Sequence, residues 1–211
     1  MDAYRIRREM PEEQREVENL IRESFWNVYR PGCLEHFVMH RLRNDPAFIP
    51  ELDLVLTLGE SGREKIIGQI MCMEAEIRTD TGKALPVMTF GPIGILPDYK
   101  RQGYGKALLE HTMRRAAEMG YGAVCMEGNI GFYGKCGFTL ASDFGLRYHG
   151  MPEESDAPFF LCRELKTGYL AGVSGEYAPP QGYMVDESEC EEFDRSFSPK
   201  EKLTLPGQLW Q

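Results

Sequence analysis

The spacing of apolar residues predicts alternating strands and helices along most of the chain. Strands are expected where apolar and polar residues alternate, or where a short run is wholly apolar. These runs are residues 3–8, 52–58, 66–78, 87–96, 123–127, 138–141 and 159–165. Helices are expected where apolar residues recur every three to four positions. These segments are residues 11–29, 34–45, 103–119 and 129–135. The order of elements indicates a mixed α/β domain.

The last part of the chain, residues 166–211, has a different composition. It combines Pro179-Pro180 with six acidic residues between Asp186 and Asp194, and it also contains aromatic and leucine side chains. We therefore predict a domain at residues 1–165 and a C-terminal extension at residues 166–211. Two interpretations are open: a solvated, partly flexible tail, and an arm whose aromatic residues dock on the domain or on a second subunit.

Charge and cysteine usage restrict the class of protein. The net charge of −9, from 33 acidic and 24 basic residues, disfavours general binding of nucleic acid or of an anionic membrane. No apolar run approaches the ~18 residues that span a bilayer, and the first ten residues lack the apolar core of a signal peptide. The six cysteines form no CxxC pair and are expected as buried free thiols. These features predict a soluble, cytoplasmic protein without membrane or nucleic-acid partners.

The segment Lys100–Lys106 (KRQGYGK), here called the glycine loop, departs from the acidic character of the chain. It has three positive charges and no negative one, and it lies directly before a strongly predicted helix. The first N–H groups of a helix lack intrahelical partners and carry partial positive charge. Gly103 and Gly105 would let a phosphate approach the backbone closely. The loop therefore predicts a diphosphate site, although it matches neither GxGxxG nor GxxxxGK[ST].

Two motifs give the chain a resemblance to a known family. The glycine loop resembles the Gln/Arg-x-x-Gly-x-Gly/Ala motif of GCN5-related N-acetyltransferases (GNAT), with Lys100 at the first position. The family's second motif, Asn-x-x-x-Tyr-x-x-x-Gly-Phe after a strand, is matched by Asn129, Tyr133, Gly137 and Phe138. The segment FGPIGILP resembles the bulged strand of a bacterial subgroup. The chain thus resembles a small bacterial-type GNAT with a C-terminal extension.

The resemblance covers residues 3–165 and implies the GNAT fold. That fold has a mixed, mostly antiparallel central sheet of about six or seven strands, flanked by about four helices. The strands expected at 87–96 and 123–127 would splay apart, and Gly91, Pro92 and Gly94 would permit the bulge that causes this.

The resemblance also implies acetyl-CoA as the co-substrate, with no metal. The pantetheine arm would lie between the splayed strands, and a backbone N–H there would stabilise the oxyanion. The residues assigned to CoA binding are Ile93, Gly94, Ile95, Lys100, Arg101, Gln102, Gly103, Tyr104, Gly105, Lys106, Asn129 and Phe132.

The implied activity is direct transfer of an acetyl group to a primary amine in a ternary complex. Tyr133 matches the position of the family's tyrosine, which protonates the leaving thiolate. A lysine-like amine is almost wholly protonated at neutral pH, so a general base is useful. We favour Glu127, with Glu74 and Glu76 as alternatives, and some family members have no dedicated base. The acidic balance suggests a small-molecule or peptide amine.

Other interpretations remain open at this stage. The chain could be a non-catalytic CoA-binding sensor or interaction module, or an acyltransferase that uses a hydroxyl acceptor or a longer acyl-CoA. A homodimer is a further alternative, since dimers are common in the family. His36 and His40 have the i, i+4 spacing of a zinc pair, but a third ligand is not evident, so packing side chains are expected.

Overall fold

The computed structural model describes residues 3–60, 62–152 and 156–209, and its elements follow the expected mixed order. The strands in these residues are β1 (Tyr4–Arg8), β2 (Leu54–Leu58), β3 (Lys65–Thr79), β4 (Ala84–Ile95), β5 (Ala123–Glu127), β6 (Thr139–Leu140), β7 (Leu146–Tyr148), β8 (Phe160–Glu164) and β9 (Gly175–Tyr177). The α-helices are α1 (Gln14–Phe25), α2 (Glu35–Leu42), α3 (Tyr104–Glu118), α4 (Ile130–Tyr133) and α5 (Glu187–Asp194). The fold class is a mixed α/β protein with a mostly antiparallel sheet, which confirms the prediction.

The chain divides into two compact units that each draw on several segments. The first unit comprises residues 1–71, 92–108 and 181–211, and the second comprises residues 72–91 and 109–180. Strands β3 and β4 and helix α3 each contribute residues to both units. The domain limit at residue 165 stays a prediction.

The sheet of the first unit is antiparallel. Strand β1 pairs with β2 from Tyr4↔Leu58 to Arg8↔Leu54, and β2 pairs in turn with β3. The first four residues of β2 are buried, on both faces of the strand, which accounts for its continuous apolar run. Strand β1 forms an edge and carries three arginines. Charged side chains on an edge strand discourage pairing with another chain.

Helix α1 ends at Phe25, four residues earlier than the apolar spacing predicts. The reason is Asn27, whose φ of 59° lies in the left-handed region that ends helices. Its side-chain Oδ1 accepts hydrogen bonds from the backbone N–H groups of Gly32 (2.8 Å) and Leu203 (3.1 Å). Asparagine tolerates this conformation because its short polar side chain bonds to nearby backbone.

Residues 181–209, here called the C-terminal segment, dock on helices of the first unit. Asp194 accepts two hydrogen bonds from Arg22 of α1, at 2.6 and 3.1 Å. His36 of α2 has Nε2 3.0 Å from Asp194 Oδ1, and its ring packs on Phe193 and Phe197. Burial lowers the pKa of His36 to about 4, with Asp194 opposing that shift. His36 is therefore a packing residue.

The second unit is built around strand β5. Strand β4 lies parallel to β5, with Met88 opposite Val124, and β8 pairs antiparallel with β5 along all of its residues. Strand β9 joins β3 and β7. Ten residues form the core cluster of this unit: Ile77, Val87, Ala123, Cys125, Ala141, Leu146, Phe160, Cys162, Leu170 and Tyr177. Residues from beyond position 165 thus complete this core.

The cysteines behave as the sequence predicts. All six are buried, and none forms a disulfide. In the part of the chain that the structure describes, no helix combines the length and apolar character needed to cross a bilayer.

The Arg22–Asp194 ion pair gives a test of how the C-terminal segment contributes to stability. Arg22 is only 1% exposed, so Asp194→Ala leaves its charge buried without a counter-ion. We expect the free energy of unfolding to fall by about 3 kcal/mol, measured by denaturant titration. Glu192→Ala, at a well-exposed position of the same helix, is the control and should change stability by less than about 0.5 kcal/mol. Equal effects of both variants would contradict this account.

A second group of buried polar side chains lies next to the end of β1 and the start of β2. Arg43 donates hydrogen bonds to Glu9 Oε1 at 2.7 Å and to Glu18 Oε1 at 2.8 Å, and all three side chains are buried. Asp53 accepts a hydrogen bond from Gln69 Nε2 at 3.0 Å. Burial, together with the neighbouring Asp53, raises the pKa of Glu9 to about 8. Burial also raises the pKa of Asp53. The folded protein therefore holds the proton of Glu9 more tightly than an exposed glutamate would.

This pKa shift predicts a pH-dependent stability. The folded state holds the Glu9 proton more tightly than the unfolded state, so stability is lost as pH rises from about 4.5 to about 8. Glu9→Gln resembles the protonated form and should remove this loss. We expect the variant to gain stability relative to the parent between pH 5 and pH 9, at no more than about 1.4 kcal/mol per pH unit. Exposed Glu12→Gln is the control, and a pH-independent difference for Glu9→Gln would refute the shift.

Candidate active site

Strand β4 ends in close contact with helix α1. A Cβ atom added at Gly94 would lie 2.6 Å from Ile21 Cδ1 and 3.1 Å from Ser24 Oγ, so only glycine fits there. Next to it, the Ile95 side chain covers Gly68 of β3, where an added Cβ would be 2.4 Å from Ile95 Cδ1. Gly94 and Ile95 are buried, and Ile93 is half-buried. These contacts hold the backbone that was predicted to bind pantetheine.

The glycine loop turns sharply before helix α3. A single 3₁₀ turn at Pro97–Tyr99 precedes it, and Arg101 and Gly103 then adopt left-handed φ angles of 62° and 91°. Glycine takes such an angle freely, whereas arginine does so at a cost of about 1 kcal/mol or more. Such a strained angle persists only where surrounding contacts maintain it, so the contacts of the loop fix the conformation of Arg101.

The three loop cations differ in their surroundings. Lys100 Nζ donates a hydrogen bond to the backbone oxygen of Ser24 at 2.6 Å, which ties the loop to the end of α1. Partial burial lowers the pKa of Lys100. All three residues are exposed, but the Lys100 ammonium group already donates to the Ser24 oxygen. The charge available to an anion therefore comes mainly from Arg101 and Lys106.

The start of α3 is anchored by an aromatic side chain. Tyr104 is buried, with its ring edge-on to Tyr4 and Tyr99 at centroid distances of 6.1 and 6.4 Å. Its side chain thus belongs to the core, and a role in CoA binding would fall to its backbone. Gly105 has space at its Cβ position, with Ile95 Cγ1 3.5 Å away. Gln102 is exposed, and its side chain donates to the Asp98 backbone oxygen at 2.9 Å.

In the second unit, the pairing of β4 with β5 is confined to one place. Among the described residues, the parallel register consists of Met88↔Val124, whereas β5 pairs with β8 from Ala123↔Glu164 to Glu127↔Phe160. The β5 edge that faces β4 therefore has backbone groups outside the ladder beyond Val124. Such a gap in a parallel pair is what the predicted splay requires.

Tyr133 lies just beyond the end of β5, inside an aromatic cluster. Its half-buried ring contacts Phe90, Phe132 and Phe138 at centroid distances of 5.9, 4.9 and 5.7 Å. A Cβ atom at Gly128 would lie 2.5 Å from Tyr133 Cε2, so the glycine lets this ring lie against the backbone. The cluster fixes the direction of the Tyr133 phenol.

Asn129 and Phe132 occupy the turn between β5 and Tyr133. Asn129 caps helix α4, because its Oδ1 accepts the backbone N–H of Gly131 at 2.7 Å. Phe132 is 46% exposed and presents an apolar face to solvent. The glycine-rich sequence of this turn keeps the backbone close to the end of β5.

Glu127, the favoured base, is exposed at the end of β5. Tyr148 of β7 donates its phenol O–H to Glu127 Oε1 at 2.5 Å. Burial, reinforced by the nearby Glu127 carboxylate, raises the pKa of Tyr148. The periodicity of the sequence does not identify Tyr148 as a functional residue. Its position beside His149 is the only signal, and His149 itself contacts Glu176, with Nδ1 2.7 Å from Oε1.

The alternative bases lie elsewhere in the second unit. Glu74 and Glu76 line an open groove of about 430 Å³ together with Pro86, Ala178 and Pro180. Tyr121, two residues before β5, donates to Glu74 Oε1 at 3.3 Å. Glu74 is therefore near the beginning of β5, whereas Glu127 is at its end, four residue steps or about 13 Å further along. This separation favours Glu127 as the carboxylate beside Tyr133.

Comparison with known proteins identifies the family. Residues 5–141 match the model of the acetyltransferase (GNAT) domain. This match covers more than half of the chain, so the protein belongs to the GNAT acetyltransferase family. No curated protein matches the chain. In the described part of the chain, no group of three or more histidine, cysteine or acidic side chains is arranged to hold a metal ion.

Solved structures share the fold at low sequence identity. A GNAT family N-acetyltransferase (YhbS) from Escherichia coli, in complex with CoA, has a TM-score of 0.72 and 24% identity, and the match covers 87% of this chain and 93% of that one. A GNAT family acetyltransferase from Brucella melitensis, in complex with acetyl-CoA, has a TM-score of 0.65 and 20% identity over 87% and 100% of the two chains. The ribosomal-protein-S18-alanine N-acetyltransferase of Escherichia coli has a TM-score of 0.51 and 16% identity, over 78% and 96%.

The contact of Gly94 with α1 predicts that Gly94, near the end of β4, and Gly105, within the glycine loop, respond differently to substitution. Gly94→Ala forces a Cβ into Ile21 and Ser24 and should destabilise the protein by about 1–3 kcal/mol. Gly105→Ala makes only an ordinary contact, and alanine favours the helix, so no loss is expected. Thermal unfolding of both variants measures the change in stability. Equal losses of stability would refute the close approach of β4 to α1.

Proposed function

We propose that this protein transfers an acetyl group from acetyl-CoA to a primary amine of a small molecule or peptide. The observation that carries the proposal is the glycine loop, which has the family's motif and forms a left-handed turn at the start of α3 in a chain of the GNAT family. The complexes of the similar Escherichia coli and Brucella melitensis proteins with CoA and acetyl-CoA support the choice of co-substrate.

In this proposal, the glycine loop binds the diphosphate of CoA. The first-turn N–H groups of α3 supply partial positive charge, and the exposed Arg101 and Lys106 add full charges. Ile93, Gly94 and Ile95 bind the pantetheine arm through their backbone. Asn129 and Phe132 complete the contacts, the latter through its exposed ring.

The amine must be neutral to attack, but only about one lysine-like amine in 10³ or fewer is neutral at pH 7. Glu127 accepts the proton from the ammonium group. The nitrogen lone pair then attacks the thioester carbonyl carbon, and a backbone N–H of β4 stabilises the oxyanion. The carbon–sulfur bond breaks as the intermediate collapses, and the Tyr133 phenol donates a proton to the leaving thiolate. The attacking nitrogen releases a further proton to solvent as the amide forms, and solvent returns a proton to the Tyr133 phenolate. The acetyl group passes directly between substrates in a ternary complex.

The net charge and the cysteines support this proposal. The net charge of −9 attracts cationic acceptors, and Glu127 presents an exposed carboxylate for an ammonium group. The proposal places the reaction in the cytoplasm, because six buried cysteines without a disulfide suit a reducing compartment.

The phenol of Tyr133 provides the test of the proposed function. Tyr133→Phe keeps the ring in its aromatic cluster and removes the proton donor. With a panel of primary amines and a thiol-release assay, we expect kcat to fall about 100-fold, while the Kd of acetyl-CoA from calorimetry stays within about twofold. Tyr169→Phe, which removes a phenol bonded to the Pro86 oxygen in the same unit, is the matched control and should keep full activity.

The possible outcomes separate the competing functions. A parent protein that does not bind acetyl-CoA refutes the proposal outright. Binding without turnover of any amine would indicate a CoA sensor, and turnover only of alcohols or of longer acyl-CoA would indicate a different acyltransferase. Unchanged kcat in Tyr133→Phe would remove Tyr133 from the mechanism.

A further inference from the structure

A tyrosine that the proposed reaction does not use is bonded to the proposed base. Tyr148 and Glu127 are 21 residues apart and lie on different strands of the second unit, yet their side-chain oxygens are 2.5 Å apart. This is the short end of the range for an O–H donor and an ionised acceptor. A carboxylate at an exposed strand end would otherwise rotate among several rotamers.

The ring of Tyr148 is itself held in place by packing. Phe159, Phe160 and Tyr177 surround it at centroid distances of 5.1, 5.5 and 6.2 Å. Its backbone is fixed by the parallel register that places it opposite Tyr177 of β9. The Tyr148 hydroxyl therefore has a defined position before any ligand binds. Its hydrogen bond restricts the rotamers of the Glu127 carboxylate.

The hydrogen bond from Tyr148 distinguishes the two oxygen atoms of the Glu127 carboxylate. Tyr148 donates to Oε1 of Glu127, which lowers the basicity of that oxygen and makes Oε2 the better acceptor of a proton from an ammonium group. The pKa of Tyr148 is raised by burial, which keeps the phenol protonated throughout the neutral range. The phenol thus donates a hydrogen bond and transfers no proton.

We infer that Tyr148 is a positioning residue, which holds Glu127 so that Oε2 faces the acceptor amine. This inference rests on the proposed function. During deprotonation, the N–H bond of the ammonium group breaks and an O–H bond forms at Oε2, while the freed lone pair attacks the thioester. The charge on Glu127 is neutralised in this step, and Tyr148 keeps its hydrogen bond to Oε1.

A double-mutant cycle tests the inference. Tyr148→Phe retains the packed ring and loses only the hydroxyl, and Glu127→Gln removes the base. We expect Tyr148→Phe to lower kcat about 10-fold with an unchanged KM for acetyl-CoA. In the Glu127→Gln background, the same substitution should change kcat by less than about twofold. Tyr169→Phe serves again as the control for loss of a phenol outside the site.

A second readout distinguishes positioning from a purely structural role. Acceptor amines of low pKa are already largely neutral, so they need less help from a base. The kcat deficits of Tyr148→Phe and Glu127→Gln should therefore shrink in parallel as the acceptor pKa decreases. A general disturbance of the fold would lower kcat equally for all acceptors.

A third variant keeps the test valid if Tyr148→Phe folds poorly. Glu127→Asp, at an exposed position, withdraws the carboxylate by one methylene and should break the bond from the other side. Glu127→Asp should lower kcat by a factor similar to that of Tyr148→Phe. The melting temperature of Glu127→Asp should stay close to that of the parent protein.

The outcomes separate this inference from the proposed function. Additive effects in the cycle, an unaffected Tyr148→Phe, a full-activity Glu127→Asp or a raised KM for acetyl-CoA in Tyr148→Phe would each overturn the positioning role while the parent still turns amines over. A parent that turns over no amine would overturn the proposed function, and the inference with it.

Discussion

The candidate site depends on the unequal pairing of strand β5. On one side, β5 is bonded to β8 along its whole length, and on the other its parallel register with β4 is confined to Met88↔Val124. A parallel strand in a sheet normally has both edges occupied, because unpaired backbone groups in a protein interior are costly. Here one complete ladder, with β8, holds the strand in place although the ladder with β4 is short. Glu127, Gly128 and Tyr133 all take their positions from the end of this strand.

The parts of the fold that the sequence predicts best are those governed by local pattern. Strand β5 is found at the predicted residues, and α3 differs from its predicted limits by one residue at each end, because glycines bound a strongly amphipathic segment. The end of α1 is predicted poorly, because the left-handed Asn27 is stabilised by Leu203, which is remote in the chain. Strands β7 and β9 have three residues each, too few for a periodicity, and they exist through their pairing with each other and with β3.

The site residues also combine features that a local sequence pattern predicts with features that depend on contacts between remote residues. The sequence indicates a basic, glycine-rich turn, but burial decides what each side chain there can do. Lys100 is tied to the Ser24 oxygen and Tyr104 is packed between two other tyrosines, which no local pattern reveals. The bond between Tyr148 and Glu127 depends on how two short strands are brought together, and so it emerges only from the folded structure.

Helix α1 connects the C-terminal segment to the glycine loop within the first unit. Arg22 is buried against Asp194 of the C-terminal segment, while Ile21 and Ser24, on the same turn of α1, contact Gly94 and Lys100. The Ile21 side chain that α1 presents to β4 and the Ser24 backbone oxygen that it presents to the loop therefore hold their positions only if the helix is held in register. Because a buried guanidinium without its partner is strongly unfavourable, Asp194 fixes this turn of α1. The acidic, aromatic end of the chain thus supports the geometry of the loop that carries the positive charge.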